Sequence, residues 1–346
     1  MIMRKRLFLI CAFLLMFLFS AKAETLLFNG AEYDTEAETI DMGDTKIQDL
    51  QVFYHFLEQF PNLKKVDMFN TPVRRSQIET MTAKFPEVEF GWTMQFAEHT
   101  VRTDVTAYST LHWSKDQKHG NADISLVRYC KNLKALDIGH NAVTDLSFLY
   151  DLPDLRVLII ACNRVKDITP IGSLKRLEYL ELFTNEIEDI TPLTGLTNLM
   201  DLNIAFNYIQ DISPILTLKN LKRLWSGRCV NRGMNISLSN KQMSQIREAI
   251  PGIREINNLT HPTGGTWREH PHFDVIHRMF RSGVYEPFAD SFQVDEETGT
   301  ISVSLGEEQE EETQQKAPDA FITIVQQAEK EGLIPLSAPE ITKRKR

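Results

Sequence analysis

Cysteine is scarce. The 346 residues hold four, at positions 11, 130, 162 and 229. Cys11 lies in the N-terminal apolar run, so the body of the chain is left with Cys130, Cys162 and Cys229. An odd number argues against a closed disulfide framework. Free thiols are expected, with Cys130 and Cys229 as buried small residues. Net positive charge is lacking too: the formal charge is -9, with no basic stripe. Such a chain is a poor binder of nucleic acid or of an anionic membrane. Beyond the first 23 residues no run is long and apolar enough to cross a bilayer.

The N-terminus reads as an export signal. Arg4, Lys5 and Arg6 precede an unbroken apolar run from Leu7 to Phe19, and Ser20-Ala21-Lys22-Ala23 offers a small-residue cleavage site. That run is too short to span a bilayer comfortably, and a signal anchor is the alternative. Cleavage after Ala23 leaves 346 − 23 = 323 residues. It also removes four cations, taking the charge from -9 to -13.

Self-similarity dominates the middle of the chain, with a period of 22 residues. Leucine recurs at Leu133, Leu155, Leu177, Leu199 and Leu221, and again three residues later at Leu136, Leu158, Leu180, Leu202 and Leu224. Ile138, Ile160, Leu182 and Ile204 follow in register, then Asn141, Asn163, Asn185 and Asn207. Each unit closes on Asp145, Asp167, Asp189 or Asp211, an aliphatic residue, and in three units a proline: Pro170, Pro192 and Pro214. The alternating leucines predict a short strand with every second residue buried. Stacked strands satisfy one another's backbone, giving a parallel sheet. The asparagine amide, both donor and acceptor, can satisfy the backbone where the chain bends away. Asp and Pro suit a tight return, one 3₁₀ turn long. One unit cannot bury its own apolar face, but a stack can.

The flanks differ. Ile40-Asp41-Met42 and Val66-Asp67-Met68 echo Leu136-Asp137-Ile138 at a 26-residue spacing. Leu50 to Phe60 reads as an amphipathic helix, and Gln77 to Lys84 as a second. Val88 and Phe90 begin another strand, and the alternation of Met94, Phe96, Val101, Thr103 and Val105 suggests a hairpin or inserted loop. Asn121 to Val127 matches the return half of a unit. The array is expected to end after Leu224, with a helix from Ser239 to Ile250, stopped by Pro251-Gly252, as its cap. The expected organisation is a signal peptide (1–23), helix-bearing repeats (24–90), an insert or hairpin (91–120), 22-residue repeats (121–230), a C-terminal cap (231–258), a histidine-containing extension (259–293) and an acidic, largely disordered tail (294–346).

The 22-residue unit resembles the internalin-type leucine-rich repeat over about 100 residues. The stretches Phe60-Pro61-Asn62-Leu63-Lys64-Lys65-Val66-Asp67-Met68, Leu136-Asp137-Ile138-Gly139-His140 and Trp267-Arg268-Glu269-His270-Pro271-His272-Phe273 are similar to exported leucine-rich-repeat proteins of Gram-positive gut bacteria. The resemblance implies an α/β solenoid with a concave parallel sheet, and a binding scaffold, since internalins bind host surface proteins through that sheet. No wall-sorting motif stands among the last residues, a departure from the wall-anchored internalins.

Residues alternating with the buried leucines should face out of the sheet. They form three rows: Asp137, Ile159, Glu181, Asn203 and Trp225; Ala135, Val157, Tyr179, Asp201 and Arg223; and Gly139, Ala161, Phe183, Ala205 and Gly227. Aromatic and arginine side chains are favoured at binding hot spots. The candidate partner-binding residues are therefore Ile159, Tyr179, Glu181, Phe183, Asp201, Asn203, Arg223 and Trp225. The alternative is that the insert at 91–118 covers them. His261, His270, His272 and His277, with Glu269 and Asp274 nearby, raise the option of a metal site. Pro262 and Pro271 interrupt them and no cysteine accompanies them, so a structural or solvent-facing role is preferred. Glu181 and Asp201 form a carboxylate pair on adjacent strands without an evident apolar pocket to split their pKa values. The run from Glu307 to Glu312 reads as a solvated, disordered segment, and Pro318 to Leu333 as a short amphipathic helix.

The expected function is a secreted scaffold that binds a protein or cell-surface macromolecule, with no catalytic residue, cofactor, resident metal or nucleic-acid partner. The alternatives are a metal-binding protein or metal-dependent hydrolase built on His270 and His272, and a self-assembling cell-envelope scaffold. Mass spectrometry of the protein recovered from an exporting host should show Glu24 as the first residue. A product that keeps the apolar run Leu7 to Phe19 would identify a signal anchor instead.

Overall fold

The computed structural model describes residues 25–96, 99–110, 118–227, 238–258, 266–294 and 301–303. The expected export signal, the Glu307–Glu312 run, the helix at 318–333, Cys229 and His261 lie outside the described residues.

The period of 22 becomes a rise of one strand per unit. Strands β7 (Ala107–Ser109), β8 (Ala135–Asp137), β9 (Val157–Ile159), β10 (Tyr179–Glu181), β11 (Asp201–Asn203), β12 (Arg223–Trp225) and β13 (Glu255–Asn257) form one sheet in sequence order. Every neighbouring pair is parallel and in register, so Leu136, Leu158, Leu180, Leu202 and Leu224 stand in a row. The strands β8 to β12 centre on those leucines and end on Asp137, Ile159, Glu181, Asn203 and Trp225. The sheet has a rung more at each end than the leucine series indicates. β7 falls within the stretch read as an insert, and β13 within the expected cap at 231–258, after its helix.

Each rung is fixed the same way. Two successive amides bond to one carbonyl of the preceding unit: Arg156 and Val157 to Lys134 O, Glu178 and Tyr179 to Arg156 O, Met200 and Asp201 to Glu178 O. The chain then leaves the sheet through a residue in the left-handed region: His140, Cys162, Thr184 and Phe206, with φ of 59°, 57°, 57° and 58°. A side chain there costs energy that the surroundings must offset. The asparagine next in line does so. Asn185 Nδ2 donates to Ile160 O (2.9 Å) and Leu182 O (3.0 Å), and its Oδ1 accepts from Val165 N (3.0 Å). Asn163 and Asn207 repeat the pattern one unit away on either side. On the return, Asp145, Asp167, Asp189 and Asp211 each accept from the amide two residues on, opening a 3₁₀ turn. The leucines, isoleucines and valines fill the interior, with Phe148 and Cys130 among them. Cys130 and Cys162 are free thiols. Cys130 is buried, and burial pushes its pKa up to about 12.

The N-terminal part is a second, four-stranded sheet. β3 (Thr39–Asp41), β4 (Lys65–Met68) and the first half of β5 (Glu89–Phe96) are parallel; the second half of β5 turns back on β6 (His99–Arg102) as an antiparallel hairpin. Helices α1 (Leu50–Leu57) and α2 (Arg75–Lys84) make the return legs. α1 starts at the N-cap Asp49 and buries Phe53, Tyr54, Phe56 and Leu57. A hairpin of β1 (Thr25–Phe28) and β2 (Ala31–Asp34) closes this end, stacking Phe28 on Phe56. Helix α3 (Asn121–Ile124) begins the return leg after β7. At the far end α4 (Asn240–Ala249) starts at Ser239 as read from the sequence, and it buries Ile246.

The asparagine ladder supplies a test. Asn185→Ala leaves the buried amide of Val165 without its partner and takes one of two asparagine donors from each of Ile160 O and Leu182 O, and should cost on the order of 1–3 kcal/mol in urea unfolding. Asn198→Ala removes a single surface bond to Lys175 O and should cost under about 1 kcal/mol. Equal losses in the two variants would sink the ladder as the source of rung geometry.

Candidate functional site

The concave face is covered by its own chain. Ile159, Tyr179, Glu181, Phe183, Asp201, Asn203, Arg223 and Trp225 are each 5% exposed or less. The expectation that they stand open to solvent is therefore corrected. Among the described residues the cover is a strap made by residues 266–291, the extension read as a separate histidine segment, rather than the stretch at 91–118. The outward rows supply the physical reason: they carry large apolar side chains that a distant amphipathic segment can bury.

The strap is a helix because its local sequence demands one. After a short turn α5 (Thr266–Glu269), His270 caps the next helix, its Nδ1 accepting from His272 N. Pro271 takes the first helical position, Asp274 lies in the first turn, Arg281 in the last, and Gly283 ends the helix at φ 74°. The result is α6 (Pro271–Ser282), with His272, Ile276 and Met279 buried on one face at helical spacing. His270 and His272 therefore stand at the start of a helix, one as its cap and the other on its buried face.

The strap fits the sheet in length as well as chemistry. His272 meets Asp201 on β11, and Gly283 O accepts from Thr106 N (3.2 Å) and Ala107 N (3.1 Å) at β7. Four strand spacings make about 19 Å, and the eleven residues from His272 to Gly283 rise about 17 Å as helix. At this edge Gly283 takes the place of a preceding rung, since Lys134 and Ala135 bond Thr106 O in the same manner. α6 lies against β7 and β8, where the apolar residues that the sheet offers are Ala107 and Ala135. Small residues there give the helix room. Tyr179 and Trp225 fill the other end, where the strap enters.

Three polar anchors hold it. At the first, Glu181 accepts from Trp267 Nε1 (3.0 Å), Arg268 Nη2 (3.1 Å) and the Tyr179 hydroxyl. The Trp267 ring lies 5.5 Å from that of Tyr179 and 5.6 Å from that of Trp225, under the Arg223 guanidinium at 4.4 Å. At the second, His272 is gripped on both ring nitrogens: Nδ1 faces Asp201 Oδ2 at 2.5 Å and Nε2 faces Asp290 Oδ1 at 2.8 Å. Phe288 stacks on its ring, Lys222 holds Asp290, and Arg223 Nε donates to Asp201 Oδ1 at 2.6 Å. At the third, Ser291 Oγ donates to Glu178 Oε2 (2.5 Å), whose other oxygen pairs with Arg156.

Burial drives the His272 pKa down, but the bonds to Asp201 and Asp290 outweigh it and the net shift is upward. Asp201 is also pushed up by burial, yet His272 and Arg223 bring it below the usual carboxylate value; Asp290 is lowered chiefly by His272. With a carboxylate oxygen at each ring nitrogen, the clamp favours the protonated form of His272. His270 is lowered to about 4 by burial and by the positive charge of Arg223 and His272. Asp137 is raised to about 7, mainly by burial. Both ring nitrogens of His272 are engaged, so it is not free to ligate a metal, and His270 spends its Nδ1 on the helix cap. Glu181 and Asp201 do not act as a pair, because each neutralises its own cation.

A family model described as Leucine Rich repeats (2 copies) matches residues 131–172 and 153–195. The chain carries leucine-rich repeats. Among solved structures, the leucine-rich-repeat chain is similar to internalin C2 of Listeria monocytogenes at 23% identity, covering 47% of this chain and 78% of that one, with a TM-score of 0.32. It is similar to a second Listeria monocytogenes internalin, internalin F, at 17% identity, covering 68% and 87%, with a TM-score of 0.34. A leucine-rich-repeat protein of Leptospira interrogans matches at 22% identity over 57% of this chain and 50% of that one, with a TM-score of 0.34. No curated protein matches the chain.

The burial of the face sets two outcomes. Tyr179→Ala and Trp225→Ala should each cost about 3–5 kcal/mol of stability, as for large buried aromatics, and not the ~0.5 kcal/mol of an open sheet. Chemical denaturation of the single variants decides between them. The second outcome concerns pH. Because the folded pKa of His272 lies above its ordinary 6.5, its contribution is full below pH 6.5 and is lost as pH rises through the folded value. His270, with a folded value near 4, acts in the opposite sense and weakens docking as pH falls below 6.5. Asp137, raised by burial, loses stability as pH rises from 3.8 to about 7, a window that ends where the His272 limb begins. Strap docking, followed by hydrogen exchange of α6, should therefore weaken above pH 6.5 in the native protein, and His272→Gln should flatten that limb. An unchanged limb would remove His272 as its cause.

Proposed function

We propose that the protein is an exported scaffold that binds a protein or cell-surface macromolecule, using the concave face of its repeats. Leucine-rich repeats support the coarser statement, a protein-interaction scaffold. The observation that carries the finer one is that the face around Tyr179, Glu181, Asp201, Arg223 and Trp225 already holds an amphipathic helix by aromatic and charged anchors. Those residue types dominate binding energy in protein interfaces. Ile159, Phe183 and Asn203 complete the surface. Among the described residues no helix is long and apolar enough to cross a membrane, and no group of three or more His, Cys, Asp or Glu side chains could hold a metal ion.

Labelled protein applied to host and bacterial surface fractions tests the reading. Binding should be saturable, competed by unlabelled protein and abolished when the fraction is treated with protease. Binding that never saturates, or none at any pH between 5 and 8, would overturn it.

A further inference from the structure

We infer that the strap is an exchangeable occupant, and that the ligand of the concave face is an amphipathic α-helix presented by a partner protein, opening with an aromatic–arginine pair. This rests on the scaffold reading and names the partner class it leaves open.

Three observations carry the inference. The first is composition. The interior of the solenoid is built from apolar side chains, with Leu, Ile and Val throughout. The layer between strap and sheet has an apolar cluster of its own, around Tyr179, Trp225 and Trp267, but adds to it buried Asp137, Glu178, Glu181, Asp201 and Arg223 on the sheet side, and His272 on the strap side. Ionic groups contribute little stability to a core relative to apolar residues of the same size, because desolvation offsets their attraction. In an interface they select the partner and set its register. The face therefore has the make-up of a recognition surface.

The second is independence. The rungs β8 to β12 draw their backbone bonds from each other and from the asparagine ladder. The backbone bonds from the solenoid to the strap lie at the β7 edge, at Thr106 and Ala107. Removing the strap leaves the ladder intact.

The third is an imperfect fit. Arg223 is 3% exposed, yet its Nη2 has no hydrogen-bond partner. A resident held in cis tolerates this because its effective concentration is high. A helix in trans that also places a carboxylate or amide oxygen against Nη2 recovers that bond, and so can displace the strap.

The test uses the full chain and a labelled synthetic peptide of residues 266–291. In Trp267→Ala/Arg268→Ala the face is unaltered but the strap loses the anchor at Glu181. This variant should keep the circular dichroism of the folded solenoid and bind the peptide at least tenfold more tightly than the native chain. Adding Glu181→Gln should reverse that gain by tenfold or more. Hydrogen exchange supplies a check free of substitutions: α6 amides should exchange at least tenfold faster than those of β9 to β11 in the native protein. Three results would each overturn the inference: equal peptide binding by native and loosened chains, loss of the solenoid in the loosened variant, or equal protection of strap and sheet. Saturable binding to surface fractions can survive all three, so the scaffold reading stands or falls separately.

Discussion

Every other feature of this molecule depends on one constraint, that a parallel rung three residues wide must have its backbone satisfied by its neighbours. The paired amides on a single carbonyl achieve this along the sheet, and the asparagine amides achieve it where the chain departs. A positive φ at His140, Cys162, Thr184 and Phe206 follows from it, as does the narrow width of each strand. So does the existence of two ends. A stack of rungs has a first and a last, and each end must be closed by something that is not a repeat. The β1–β2 hairpin, α4 with β13, and the carbonyl of Gly283 at β7 are three such closures.

The strap shows how a face can be chemically ready for a partner and still be occupied. Its contacts are of two kinds. Apolar side chains on α6 lie over Ala107 and Ala135, where they give area without direction. The charged and aromatic contacts sit at the other end, where Trp267, Arg268 and His272 each have one geometry. Position along the helix is therefore set at its N-terminal end, and the remainder follows.

The five leucine-marked rungs were legible in the sequence, because a period of 22 carries its own register and the register states which side chains face inward. What faces outward was equally legible: Tyr179, Glu181, Asp201, Arg223 and Trp225 were placed on one surface correctly. Whether that surface was open was not. Periodicity reports the direction of a side chain from its own strand and says nothing of a segment 71 or 86 residues away, the separations of His272 from Asp201 and of Trp267 from Glu181. A signal was present in two places. Ala107 and Ala135 are small residues on a face otherwise rich in large ones. And Pro271, Asp274, Arg281 and Gly283 spell the start and stop of a helix whose buried residues fall at positions 272, 276 and 279. A structural or solvent-facing role for the histidines left that pattern unused. The extra rungs β7 and β13 were missed because neither carries the leucine that marks the others.

The carbonyl of Gly283 and the amide of Tyr285 tie the strap to Thr106, a separation of 179 residues for the second bond. Repeat arrays ordinarily assemble from any rung outward, each needing only its neighbour. A contact of this span has a different order of events. Thr106 and Asp201 reach the separation that α6 can bridge only when every rung between them is stacked, so closure comes after assembly and cannot seed it. The strap therefore acts as a gauge of the array. A chain with one rung too many or too few leaves α6 short or long by about 5 Å, and the ends fail to meet.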